Sequence, residues 1–99
     1  MILTRAVELF GDFSDPVAVW HRFLCAVNAI GGITILGTMK HEFPGGGITG
    51  MVIIGESHLA IHTWPEKGYA WAEMATCGDP AGLDRFETLV KQATALNPD

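Results

Sequence analysis

Ninety-nine residues make one domain with a single hydrophobic core and leave no room for a second. Apolar residues supply 48% of the chain and charged residues 17%, an apolar-leaning balance that leaves surface for a subunit interface. Six Lys and Arg against eleven Asp and Glu give a net charge of -5, and no basic cluster exists to neutralise phosphates, which argues against nucleic-acid binding.

The opening stretch MILTRAVELFGDF carries neither a signal-peptide apolar run nor an Arg/Ser-rich transit pattern, and no later segment is apolar for long enough to span a bilayer. The expected location is the cytoplasm. Cys25 and Cys77 lie far apart in unlike contexts, so reduced thiols are expected rather than a disulfide or a C-x-x-C motif.

Ile2 to Phe10 alternates loosely and predicts a strand. GDFSDP then places Ser14 or Asp15 as the cap of a helix with Pro16 in its first turn. Val17, Trp20, Phe23, Leu24, Val27 and Ile30 recur at helical spacing, and Gly31-Gly32 ends the helix. Ile33 to Glu42 reads as a strand and Pro44 to Gly47 as a flexible loop. Ile48 to Ile54 follows as a β-branched strand that should be buried on both faces or nearly so, then Leu59 to Trp64 as another. Pro65 to Gly68 forms a turn, and Tyr69 to Thr76 a further strand. Asp79-Pro80 repeats the cap-then-proline start for a last helix marked by Leu83, Phe86, Leu89, Val90 and Ala93. The order β-α-β-β-β-β-α with short links predicts an α+β two-layer sandwich, an antiparallel sheet with two helices on one face. The other face then needs a cover, and a second copy of the chain is the natural one.

Unbroken, Ile48 to Trp64 would far exceed the roughly 5 to 6 residues usual for a strand. Gly55 is the only residue there that relaxes the backbone, so Glu56 and Ser57 are expected at a tight corner. His62 is an odd number of residues from Ser57 and would face away from it on a continuous strand, so a bend near Ser57 is what could bring hydroxyl and imidazole together.

The stretch GESHLAIHTWPEKGYAWAEMATCGD, Gly55 to Asp79, closely resembles the central motif of the bacterial and archaeal S-adenosylmethionine decarboxylases, a pyruvoyl-dependent family. Glu-Ser-His, Ile-His-Thr-Trp-Pro-Glu and Thr-Cys-Gly stand in order and at the family's spacing. The resemblance implies self-cleavage of the 1–99 domain at Glu56-Ser57 into a β chain, 1–56, and an α chain, 57–99. In that chemistry the Ser57 hydroxyl attacks the Glu56 carbonyl to give an ester, and β-elimination and hydrolysis leave a pyruvoyl group in place of Ser57. An amide pressed out of planarity in a tight turn would be easier to attack.

The resemblance assigns the other roles residue by residue. His62 resembles the histidine that takes a proton from the ester intermediate, work suited to a group titrating near neutrality. Thr49 stands where a serine often assists processing. Cys77 resembles the residue that returns a proton to the substrate carbon. Glu66 resembles the carboxylate that holds the ribose hydroxyls, and Phe43 falls where an aromatic ring stacks on adenine and suits a sulfonium cation. The pyruvoyl carbonyl would condense with the amine of S-adenosylmethionine and act as the electron sink for decarboxylation, so that step needs no metal. The family also implies a homodimer, an active site near the subunit interface and a product used in spermidine synthesis.

Each residue also has a plainer reading. Ser57 could be a turn serine, Cys77 and Cys25 small buried hydrophobes, Phe43 a loop anchor, and Trp64 and Trp71 core or interface residues. His58 and His62 with Cys77 could be read as zinc ligands, but H-x-x-x-H is weak without a third local ligand or a helix. Thr4 replaces a histidine usual in the first strand, and Trp71, Glu73 and Ala75 replace smaller, aspartate and phenylalanine residues. Two alternatives stay open: an arginine or ornithine decarboxylase on the same scaffold, and an unprocessed binding or regulatory homologue, which the chain's end soon after the last helix keeps in play. Phe43 and Glu66 favour the S-adenosylmethionine reading, because an amino acid without adenosine needs neither ring stacking nor a ribose clamp.

Overall fold

The computed structural model describes residues 1–94. Five strands, β1 (Leu3–Phe10), β2 (Ile35–Glu42), β3 (Ile48–Ile54), β4 (Ser57–Trp64) and β5 (Tyr69–Thr76), form one antiparallel sheet in the order β1-β5-β4-β3-β2. Helices α1 (Pro16–Ala29) and α2 (Ala81–Thr94) pack on each other and on one sheet face, the two-layer sandwich expected. Among the described residues no helix is long and apolar enough to cross a membrane.

Alternation builds the core. Val7 and Leu9 of β1, Ile48, Val52 and Ile54 of β3, Leu59 and Ile61 of β4, and Ala70, Ala72 and Met74 of β5 are all buried. Each set steps by two or four residues, so all point to the helix side. Phe23, Val19, Ala26 and Val27 of α1 and Leu83, Phe86 and Val90 of α2 close over them. Three members of the expected α1 stripe differ: Val17 is exposed, and Trp20 and Leu24 are only partly buried. Asp15, not Ser14, caps α1, its carboxylate accepting from Ala18 N at 3.1 Å. Cys25, expected in the core, is exposed on α1 with its Sγ 3.6 Å from His21 Nε2, because position 25 falls outside the stripe that Phe23 and Val27 bury.

The second sheet face is open. β3 is buried on that face only in expectation: its pattern alternates strictly, leaving Met51 and Ile53 exposed with Met39, Phe10 and Trp64. A strand reads as buried on both sides when its outward residues are apolar, and here, among the described residues, nothing covers Met51 and Ile53. Rings continue across this face, with Phe10 5.5 Å from Tyr69, Tyr69 5.6 Å from Trp64, and Trp64 6.2 Å from His62 between centroids.

Candidate active site

The β3–β4 hairpin turns on two residues. Ile54 pairs with Ser57, so only Gly55 and Glu56 leave the ladder, and the strand predicted from Leu59 starts at Ser57. Gly55 has φ +44°, a conformation that side chains disfavour. A glycine at the first central position therefore sets the corner, and Glu56 stands beside Ser57 at its tip.

Ser57 donates from Oγ to Thr76 Oγ1 at 2.8 Å. The same Thr76 oxygen accepts from Gly78 N at 3.0 Å, which fixes the start of the β5–α2 connection against the turn. Thr76 is the residue that sequence reasoning did not single out, although it lies inside the quoted Thr-Cys-Gly block. Nothing local marks it, since its role comes from the β4–β5 pairing that puts the end of β5 beside the start of β4. Next to it, Cys77 Sγ donates to Glu56 Oε1 at 3.1 Å. That bond to Glu56, with desolvation and the carboxylate's charge, pushes the Cys77 thiol up from its ordinary value, against smaller opposing pulls from a backbone hydrogen bond at Cys77 and from the α-amino group of Met1. A thiol held protonated is suited to giving a proton.

A change at Glu56 tests that contact. In a Cys25→Ser, Ser57→Ala chain, adding Glu56→Gln removes the negative acceptor, so the pH profile of Cys77 alkylation by iodoacetamide should move to lower pH and alkylation at neutral pH should quicken. An unchanged profile would mean that Glu56 does not hold the thiol in solution.

The remaining predicted residues gather elsewhere. Thr49 Oγ1 and His62 Nδ1 share a hydrogen bond at 3.1 Å, as expected from the register that sets these two positions opposite each other on β3 and β4. Both line a cavity of about 270 Å³ with Phe43 and Glu66. Phe43 reaches it from the β2–β3 loop, which Phe43 N to Gly47 O at 2.7 Å and Gly46 N to Phe43 O at 3.0 Å close into a tight turn. Glu66 sits in the short 3-10 turn Pro65–Lys67 that follows β4.

Ser57 and His62 are therefore not brought together within one chain. The bend lies before Ser57 rather than after it, β4 runs regularly from Ser57 to Trp64, and parity turns the two side chains to opposite faces. Five residues of strand separate them along the axis by about 16 Å. His58 and His62 share the open face but lie roughly 13 Å apart on the same rule, too far for one metal ion. Among the described residues no group of three or more His, Cys, Asp or Glu is placed to hold a metal. Trp64 and Trp71 flank His62 on the open face, Trp71 opposite it in the β4–β5 register.

Comparison with known proteins identifies relatives of the chain. The chain is 45% identical over 61 residues to the S-adenosylmethionine decarboxylase proenzyme of Prochlorococcus marinus, covering 62% of this chain and 49% of that protein. It is 52% identical over 61 residues to the proenzyme of Thermosipho africanus, covering 62% and 47%. It spans about half the length of these curated relatives. Among solved structures, the adenosylmethionine decarboxylase of Aquifex aeolicus superposes with a TM-score of 0.75 at 27% identity, over 94% of this chain and 78% of that one. The sequence pattern of the S-adenosylmethionine decarboxylases matches residues 12–97, so with its blocks in order and its fold shared, the chain belongs to the S-adenosylmethionine decarboxylase family.

Proposed function

We propose that this protein is an S-adenosylmethionine decarboxylase that cuts itself between Glu56 and Ser57 and carries a pyruvoyl group made from Ser57. The observation that carries the reading is the placement of Ser57 directly after the two-residue turn, its hydroxyl held by Thr76, with Cys77 hydrogen-bonded to the neighbouring Glu56. A pyruvoyl group fits there, because Ser57 borders a cavity of about 390 Å³ and the thiol stands next to the residue that would become the cut end. Once formed, its carbonyl supplies the electron sink for loss of carbon dioxide. The last five residues of the catalytic fragment 57–99 lie outside the described residues.

This chain's own groups divide the work. Thr76 fixes the Ser57 hydroxyl for attack on the adjoining carbonyl. Cys77 is a proton donor to the substrate carbon. Phe43 and Glu66 in the second cavity give a ring face for adenine and a carboxylate for ribose hydroxyls, with His62 and Thr49 beside them. The two groups do not meet in a single chain, and the exposed apolar face, with Met39 at 77% and Ile53 at 51% exposure, supports a homodimer in which a second copy completes the site. The product would be the aminopropyl donor of spermidine synthesis, and the cytoplasm is the location that suits it.

Intact mass of the purified protein tests the reading. Two fragments split at Glu56-Ser57 are expected, the second without a free N-terminal amine; a single unchanged chain after prolonged incubation contradicts self-processing. Carbon dioxide release should follow from S-adenosylmethionine and not from arginine or ornithine. Glu66→Gln should leave cleavage intact and raise KM for S-adenosylmethionine on the order of ten- to a hundredfold, the loss expected for a charged hydrogen bond. Loss of cleavage in that variant would contradict the role given to Glu66.

A further inference from the structure

Among the described residues, one cationic side chain, Arg85, lines the cavity of about 390 Å³ beside Ser57. Glu56 and Ser57 line it from the β3–β4 turn, and Asp79 and Arg85 from the start of α2. Both acids are already engaged: Glu56 Oε1 accepts from Cys77 Sγ at 3.1 Å, and Asp79 Oδ1 from Ala81 N at 2.9 Å. Arg85 donates from Nε to the carbonyl of Ile30 at 2.9 Å, which pins the guanidinium to the end of α1. Among the described residues no acceptor takes its other N–H groups, which leaves the outer edge of the fork available to a carboxylate. The ring and carboxylate expected to hold adenosine lie in the other cavity, so this space is not needed for them.

We propose that Arg85 receives the α-carboxylate that departs from Glu56 when the chain is cut, and so drives the elimination step of processing. This rests on the self-cleavage reading. In the first step Ser57 Oγ bonds to the Glu56 carbonyl carbon, the C–N bond breaks, and the nitrogen of Ser57 becomes a free amine. A base then removes the Ser57 α-proton, that electron pair forms the Cα–Cβ double bond, and the Cβ–Oγ bond breaks with Glu56 leaving as a carboxylate. Tautomerisation and attack by water release ammonia and leave the pyruvoyl carbonyl. Negative charge on the Glu56 oxygens develops in the elimination transition state, and a fixed guanidinium stabilises that state more than the neutral ester before it.

The same cation would be ill placed to hold the carboxylate of the substrate. That group loses its charge as carbon dioxide forms, so a guanidinium would stabilise the reactant over the transition state. A substrate carboxylate is nonetheless the other source of the same chemistry, and the experiment separates the two.

Arg85→Gln is incubated, sampled over time and treated with hydroxylamine, which cleaves esters and marks the 1–56 fragment as a hydroxamate by mass. Elimination should slow on the order of a hundredfold. The ester should accumulate as full-length, hydroxylamine-labile protein, and Arg85→Lys should accumulate less of it. Processing of Arg85→Gln at the wild-type rate overturns the proposal, as does slow processing with no labile ester, which would place Arg85 in the fold rather than in elimination. Normal processing with a raised KM for S-adenosylmethionine also overturns it and assigns the cation to the substrate. If Arg85→Gln does not fold, by circular dichroism, Arg85→Lys decides: labile ester above the wild-type level supports the proposal, and none above it overturns it. A wild-type chain that is never cut fails the self-cleavage reading itself, and the parallel wild-type sample makes that failure distinct.

Discussion

Ser57→Ala is expected to leave one uncut chain of full mass indefinitely. In the proposed self-cleavage the hydroxyl is the attacking group, and alanine offers no substitute, so cleavage should be lost rather than slowed. The fold should survive. Ser57 is the first residue of β4, its side chain is only partly buried, and its one side-chain hydrogen-bond partner among the described residues is Thr76, which keeps its bond from Gly78 N. Losing that single hydrogen bond costs about 1 kcal/mol, well within the margin of a small domain. Mass spectrometry of the variant beside the wild type checks the prediction, and a chain still split at Glu56-Ser57 would mean that a contaminating protease makes the cut.

Gly50→Ala should give the largest loss of stability from the smallest change in size. A Cβ built at Gly50 would lie 2.2, 2.8 and 2.9 Å from three atoms of the Trp20 ring. The indole of α1 lies against the middle of β3 at Gly50, where Ile48 and Val52 on either side carry branched side chains. The ring cannot retreat freely, since it stacks on the fully buried Phe23 with centroids 5.9 Å apart. Overpacking of this kind costs about 1–3 kcal/mol, read as a lower urea midpoint at unchanged slope. Trp20→Leu on the Gly50→Ala background should recover part of that loss, because the two changes share one contact and do not add. Additivity would show that the ring is not what Gly50 accommodates.

Elements marked by period and punctuation were legible in the chain itself. Asp15-Pro16 and Asp79-Pro80 announce helix starts, and the β-branched and alternating runs announce every strand to within two residues. The motif from Gly55 to Asp79 pointed to the family and to its chemistry. Pairing was less legible. Periodicity assigns a face to each residue but not a neighbour, so Thr76 as the partner of Ser57 and Trp20 as the partner of Gly50 came only with the register of β4 on β5 and the seat of α1 on the sheet.

Ser57 and His62 mark the same boundary. Their spacing along the chain is a local quantity, and it correctly says that a continuous strand turns them apart. Where the bend falls is set by which residues join the β3–β4 ladder, a question of cross-strand hydrogen bonds. Because Ile54 pairs with Ser57, the corner closes before the serine and the two groups stay on opposite faces. One short sequence thus determined the helices, the strands, the family and the bond where the chain is expected to break. Only the tertiary structure decided that Ser57 shares a cavity with Arg85 while His62 lies with Phe43 and Glu66, because residues far apart in sequence become neighbours only when the sheet is assembled and the helices close over one side of it.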